Sequence, residues 1–259
     1  MSLEQIYPVL ITRDAAATIE RTLESLCEFP EVIVYDNGST DGTLAICARF
    51  PNVRVHTGEF MGFGPTKAHA VSLAGGDWIL SIDADEYVGR SLLDALRLLD
   101  LTDPKRAYRV KRQNLFMGRH IRHSGWGNDW LVRLFNRTVC RFNDAVVHEK
   151  VVVPAGVSLV AVEGPLWHQA ASDIDQFLTK ISRYSELEIK RSPRTHHPAV
   201  ILLHAIWAFF RSYILRAGFL DGWRGLVIAY CFGIGCFFKH MKRYVNRSVS
   251  ETERARLPE

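Results

Sequence analysis

Four short apolar runs alternate with helix-patterned segments through the first 100 residues, and this alternation constrains the fold most. Tyr7–Thr12, Glu31–Tyr35, Val53–His56 and Trp78–Ile82 read as strands, short and rich in Val and Ile. Between them, Ala15–Cys27 places Ile19, Leu23 and Leu26 on one face, with Asp14 as its cap. A second helix runs to about Phe50, a third covers about Thr66–Ala74, and Ser91–Leu99 is amphipathic. Strands alternating with helices imply a parallel α/β sheet. Such sheets bind ligands beyond the carboxyl ends of their strands.

Two acidic loops fall on that rim. The run Trp78–Ile82 leads directly into Asp83-Ala84-Asp85-Glu86. In an extended chain residues two apart face the same side, so Asp83 and Asp85 would project together. Two like charges there are unfavourable unless a cation holds them. Magnesium and manganese bind through one or two carboxylates plus substrate phosphates. A divalent metal on a nucleotide diphosphate is the chemistry this implies, although an acid pair capping a turn is the plain alternative. The second loop, Asp36-Asn37-Gly38-Ser39-Thr40-Asp41-Gly42-Thr43, reads alone as a polar turn capped by Ser39, Thr40 or Asp41. Sharing a rim with Asp83 makes it part of a site. The Gly-rich stretch Met61–Lys67 precedes a helix N-terminus, which favours phosphate. It lacks P-loop spacing, and Lys67 reads as readily as a solvated surface lysine.

Beyond Ala107 the alternation stops. Ala107–Lys111, Leu131–Asn136 and Val146–Val153 look like short strands between polar and aromatic loops. In His123–Trp130, Trp126 and Trp130 stand beside Gly, Asn and Asp, a platform suited to a sugar, and Asp129 is a general-base candidate. An ordinary aromatic loop explains them nearly as well. Val147-His148-Glu149 sets a His at a strand end, a place where a lone His is more often structural. Further on, Ala199–Phe210, interrupted by Arg211, and Leu226–Phe238 are apolar but shorter than the roughly 20 residues of a spanning helix. Trp207, Tyr213, Trp223 and Tyr230, with the basic run Lys239–Arg243, suggest interfacial helices on an anionic leaflet rather than core helices.

Composition narrows the classes. A chain of 259 residues, 47% hydrophobic, builds one large domain or a domain with an appendage. A net charge of +4 and the lack of any recognition motif give no reason to expect a nucleic-acid partner. Five cysteines without CxxC spacing suggest free thiols in a reducing cytosol. The first residues have neither the basic nor the apolar region of a signal peptide, so none is expected.

Taken in order, Ile11-Thr12-Arg13-Asp14, Tyr35–Thr43 and Asp83-Ala84-Asp85 resemble the first-strand end, nucleotide loop and metal-binding DxD of family 2 glycosyltransferases with a GT-A fold. Gly118–Trp126, Asp129, Arg133-Leu134-Phe135, Val147-His148-Glu149 and Gly218–Gly222 resemble the bacterial lipopolysaccharide core β-1,4-glucosyltransferase subgroup. The resemblance implies an α/β, Rossmann-like, mostly parallel sheet with a C-terminal helical, membrane-associating extension. Residues 1–170 would be the catalytic domain, 1–100 its nucleotide-binding half and 101–170 its acceptor side, with 171–259 the membrane-associating region. It implies inverting transfer of a hexose, glucose by the subgroup, from a UDP-linked nucleotide sugar donor. The acceptor would be a lipid-linked glycan of the lipopolysaccharide core or envelope. The enzyme would act at the cytoplasmic face of the inner membrane, peripheral or monotopic on the membrane surface. Asp83 and Asp85 would hold Mn or Mg, with His148 a further metal ligand. Thr12, Arg13, Asp36 and Asn37 would bind the nucleoside, Lys67 phosphate, and Trp126 the sugar. Asp129 would be the base and Glu149 its fallback. Asn37 stands where many members carry a second acid, and Lys67 and His69 stand where many have Arg and Asn. Two other classes fit parts of the pattern. One is a haloacid-dehalogenase-type phosphatase, whose Asp-x-Asp follows the first strand. The other is a non-catalytic membrane adaptor with a nucleotide fold.

Overall fold

The structure, a computed structural model, describes residues 2–171, 173–175, 177–179, 181–182 and 195–254. The chain forms two units, one of residues 1–113 with 128–169 and the other of 114–127 with 170–259.

In the first unit, β1 (Ile6–Thr12), β2 (Val32–Asp36), β3 (Val53–Thr57) and β4 (Trp78–Ser81) form the parallel half of a sheet. Helices α1 (Ile19–Glu24), α2 (Thr43–Cys47) and α3 (Phe63–Ser72) connect them. The strands β5 (Glu86–Val88), β6 (Arg106–Phe116), β8 (Asp129–Asn136) and β11 (Ser158–Ala171) extend the sheet, and α4 (Arg90–Arg97) follows β5. The order is β3-β2-β1-β4-β8-β6-β11-β5, with β8 antiparallel to β4 and β6, and β5 antiparallel to β11. Period-two alternation feeds two cores. Ile6, Leu10, Val32, Val34, Trp78 and Leu80 face one, with Leu23 and Leu96. Val9, Ile33, Tyr35 and Ile79 face the other, with Ala70 and Phe135. Burial on both faces explains why β2 reads as a continuous apolar run.

Three sequence expectations change. The helix expected over Ala15–Cys27 contracts to Ile19–Glu24, and Asp14 does not cap it. Asp14 sits at φ 51° and its carboxylate accepts the Thr40 N–H at 2.7 Å. The N–H groups of Asp14, Ala15 and Ala16 donate to Ser39, Thr43 and Asp41, so the segment is committed to the second loop. Val146–Val153 is not one strand: Val151–Val152 (β10) pairs with Arg141–Phe142 (β9), and Val147–Glu149 lies in the intervening loop. That loop is taken up by the start of α3, where Phe63 and Gly64 donate to Val146 O and Ala145 O at 3.0 and 2.9 Å. The segments β5 and β11 join the sheet, although their local sequence carries no clear strand pattern.

In the second unit, Arg119–His120 (β7) pairs with the end of β6. Helix α5 (Pro198–Phe210) starts behind a His197 cap with proline in its first turn, and α6 spans Trp223–Arg254. Arg211 does not end the apolar helix. The hydrogen bonding widens to a π turn over Arg211–Leu215, so Pro198–Leu215 is long and apolar enough to cross a membrane, at 18 residues, mean hydropathy 1.5 and 17% buried. A Cβ on Gly233 would lie 3.2 Å from Ala205 O, so glycine lets α6 approach α5 closely. The core contains Phe116, Ile121, Phe177, Ile228 and Cys231.

Candidate active site

The acidic turn after β4 differs from an extended pair. The strand stops at Ser81, and Asp83 O accepts the Glu86 N–H at 2.9 Å, closing a turn. Asp83 and Asp85 meet different partners. Asp85 Oδ2 lies 3.5 Å from His168 Nε2 on β11. Asp83 meets cations on both oxygens, Lys67 Nζ at 2.6 Å on Oδ1 and Arg133 Nη2 at 2.8 Å on Oδ2. The turn is pinned from two sides, by Thr22 Oγ1 donating to Ala84 O at 3.1 Å and Gln169 N donating to Asp85 O at 2.8 Å.

These contacts continue as a network. Lys67 is 5% exposed, far from a solvated surface lysine, and bridges Asp83 to Glu149 Oε1 at 2.7 Å. Glu86 is fully buried; its Oε2 accepts the Asp83 N–H at 3.0 Å. Its Oε1 accepts Arg133 Nη2 at 2.5 Å and Arg112 Nη1 at 3.3 Å. Arg112 in turn binds Asp129 Oδ2 through Nε at 2.8 Å and Nη2 at 2.7 Å. Burial opposes ionisation of Asp83, but the charges of Arg133 and Lys67 overcome it and hold its carboxyl well below the usual range. Burial likewise opposes the charge on Lys67, and Asp83 and Glu149 overcome it, so its ammonium is held protonated. Glu86 moves the other way: burial pushes it up, Asp83 adds to that, and Arg133 and Arg112 pull it back.

Glycine positions Glu149. A Cβ on Gly64 would stand 2.0 Å from Asn143 O and 2.9 Å from Ala145 O, so only glycine lets α3 meet the 143–146 backbone. His148 follows at φ 60°, directly before Glu149.

At the neighbouring strand ends, Thr12 and Asp36 are paired in register, and Asn37 N donates to Thr12 O at 2.9 Å. Asp36 is buried and holds its own loop, accepting from Gly38 N at 3.0 Å, Ser39 N at 2.9 Å and the Ser39 hydroxyl. Asn37 reaches Glu59 O at 3.4 Å, and Arg13 is exposed beside Asp14. Among the described residues, the Thr12 hydroxyl is one of the buried polar groups without a hydrogen-bond partner.

The structure thus brings Lys67, Asp83, Glu149 and Asp129 into one network, and Thr12, Asp36 and Asn37 onto adjacent strand ends. Trp126 belongs to the second unit, packed edge-to-face on Phe116, Phe177 and Phe232 at 6.1, 5.7 and 6.3 Å. Trp130 carries Arg109 over its ring at 5.2 Å. Sequence reasoning gave no role to Glu86, Arg112 or Arg133. The signal is cross-strand pairing: Arg112 is opposite Asp129, and Glu86 is opposite His168. Among the described residues no three His, Cys, Asp or Glu side chains form a metal cage. Magnesium or manganese does not need one where substrate phosphates complete the shell, and Asp85 with its acidic neighbours suits such a cation. Asp83 beside it meets Lys67 on one oxygen and Arg133 on the other.

Residues 9–138 match the family model described as glycosyl transferase family 2. An uncharacterized glycosyltransferase of Rickettsia felis is 29% identical over 93% of this chain and 89% of its own length. The lipopolysaccharide core biosynthesis glycosyltransferase LpsC of Rhizobium meliloti is 26% identical over 89% of this chain and 91% of its own. Among solved structures, S. aureus TarS 1–349 in complex with UDP aligns at TM-score 0.48 with 16% identity, over 93% of this chain and 91% of that one.

Proposed function

Because the chain belongs to glycosyl transferase family 2, we propose that it is an inverting hexosyltransferase that uses a UDP-linked donor, glucose by subgroup resemblance, and a lipid-linked envelope glycan such as the lipopolysaccharide core. Charge carries the donor-side reading. Four carboxylates, Asp83, Glu86, Asp129 and Glu149, meet three cations, Lys67, Arg112 and Arg133, and with Asp85, which lies 3.5 Å from His168, the acids outnumber the lysine and arginines by two. A divalent cation balances that excess, and Asp85 would hold it, with Asp83 beside it. When bound, magnesium or manganese neutralises charge on the leaving diphosphate. The buried, unpartnered Thr12 hydroxyl supports a nucleoside at the β1 and β2 ends, with Asn37 and Arg13 at its edge. Asp36 shapes this cradle by holding the loop. Lys67 supplies positive potential toward the phosphates.

In the transfer, the acceptor hydroxyl oxygen attacks the anomeric carbon and gives its proton to Asp129. The anomeric carbon–phosphate oxygen bond breaks, and the nucleoside diphosphate leaves with the electron pair. Attack from the face opposite the leaving group inverts the anomeric centre. Glu149, held by Lys67, is the alternative base, and His148 an additional donor toward the metal or phosphate. Trp126, partly buried against the second unit's core, would shape the sugar pocket from its loop.

The LpsC relative and an exposed apolar stripe on α5 (Leu203, Ile206, Trp207, Phe210) support docking on the membrane surface at the cytoplasmic face. The test is turnover of UDP-, GDP- and dTDP-sugars with manganese and envelope lipid extract, alongside Asp85→Asn and Asp129→Asn. Release of one nucleoside diphosphate with sugar appearing in lipid, sharply reduced but still measurable in both variants, is the expected result. Phosphate release from simple phosphoesters without glycoside would favour phosphatase chemistry, and no turnover with intact membrane binding would favour an adaptor.

A further inference from the structure

Glu86 touches both halves of the proposed chemistry without facing a substrate. It is fully buried, and its two oxygens divide their work. Oε2 takes the Asp83 N–H, the backbone that sets the acidic turn. Oε1 takes both Arg133, which grips Asp83, and Arg112, whose Nε and Nη2 both grip Asp129 Oδ2. Arg112 and Asp129 are also directly opposed across β6 and β8, so two rigid strands set their spacing. One carboxylate thus ties the turn that faces the donor diphosphate to the acid that faces the acceptor hydroxyl.

We infer that Glu86 is a positioning residue that, through Arg112, fixes Asp129 relative to the donor-side turn at Asp83. The inference rests on the reading of Asp129 as base. In-line displacement needs nucleophile, base and leaving group aligned together, and a 1 Å misplacement costs up to about a hundredfold in rate. A guanidinium forked onto one carboxylate oxygen sets where the other oxygen points. Glu86 orients Arg112 by holding Nη1, and it counters part of the charge that two adjacent arginines bring to a buried place. A carboxamide of the same shape keeps an acceptor for the Asp83 N–H and loses the charge that binds both arginines.

The test is a double-mutant cycle of Glu86→Gln and Asp129→Asn, reading kcat and donor KM with donor and acceptor both saturable, and melting temperature in parallel. Glu86→Gln is expected to lower kcat about tenfold to a hundredfold and leave donor KM within about twofold. In the Asp129→Asn background it is expected to add little further loss, because it acts through that residue. A merely structural role would cost the same factor in both backgrounds. Additive losses, or a fully active Glu86→Gln, overturn the positioning role while leaving Asp129 as base. Full activity of Asp129→Asn overturns both the base and the inference. If Glu86→Gln fails to fold, Arg112→Lys, which keeps the charge and loses the fork, takes its place in the same cycle with the same readings.

Discussion

Lys67 and Gly64 show how single residues build the site. The Lys67 ammonium lies between Asp83 and Glu149 with 6% of its side chain exposed. Lys67→Met takes the cation from between Asp83 and Glu149 and leaves Asp83 with Arg133 alone. Removing one partner of a largely buried ion pair costs several kcal/mol, and the partial exposure of Asp83 and Glu149 softens this to about 2–4 kcal/mol. Urea unfolding measures it, and a loss below about 1 kcal/mol would show the bridge to be solvated. At Gly64 the obstacle is backbone: a Cβ there would meet Asn143 O at 2.0 Å, and backbone cannot swing aside. Gly64→Ala is expected to cost about 1–3 kcal/mol and to free the 143–149 loop from α3, seen as faster amide exchange at Ala145 and Val146.

Among the elements, α5 is apolar on its exposed side as well as on its buried one. Ile201 and Ala205 are buried, while Leu203 and Trp207, two residues further along each time, are 64% and 53% exposed. Replacing Leu203 and Trp207 by Glu is expected to weaken binding to anionic vesicles by about tenfold or more per residue, from the apolar burial each loses. Co-sedimentation reads this, and unchanged binding would place the contact elsewhere. On α6, burial first, then the charges of Lys239, Arg243, His196 and His204, push His240 down to about 4. An unfolded histidine titrates near about 6.5. Between those values the unfolded chain holds the extra proton, so stability climbs with pH from about 4 to about 6.5 and is level above. His240→Gln should flatten that part of the urea-midpoint profile relative to the parent protein.

For the molecule as a whole, ligand linkage is the broadest test. A nucleotide with manganese, present at about a hundred times its dissociation constant, stabilises the folded state by about 2.7 kcal/mol. In a chain of this length that is roughly a 5–10 °C rise in melting temperature, reversed by chelation. A rise with UDP but not GDP would name the nucleotide, and no rise with any nucleotide and metal would remove the donor site. Much of the architecture behind this test is legible in the sequence. Val-Ile-Val in β2 and Trp-Ile-Leu in β4 are short, β-prone and apolar on both faces, so local pattern and tertiary burial agree. Asp83 and Asp36 duly sit at strand ends. Less legible were Val146–Glu149, whose β-prone residues are held as a loop by α3, and β11, whose apolar run is broken by Gly164-Pro165 and joins the sheet through its partners.

Local pattern along the chain is enough to establish the alternation of strands and helices, the rim on which the acids gather, and the family, because these depend on periodicity and on residues close together in sequence. What each acid faces comes from the folded chain alone. Asp83 turns to Lys67 and Arg133, 16 and 50 residues away, and Asp129 to Arg112 across a strand pair. A carboxylate's role depends on its neighbours' charge and on its burial, and both are set by contacts between distant segments rather than by spacing along the chain.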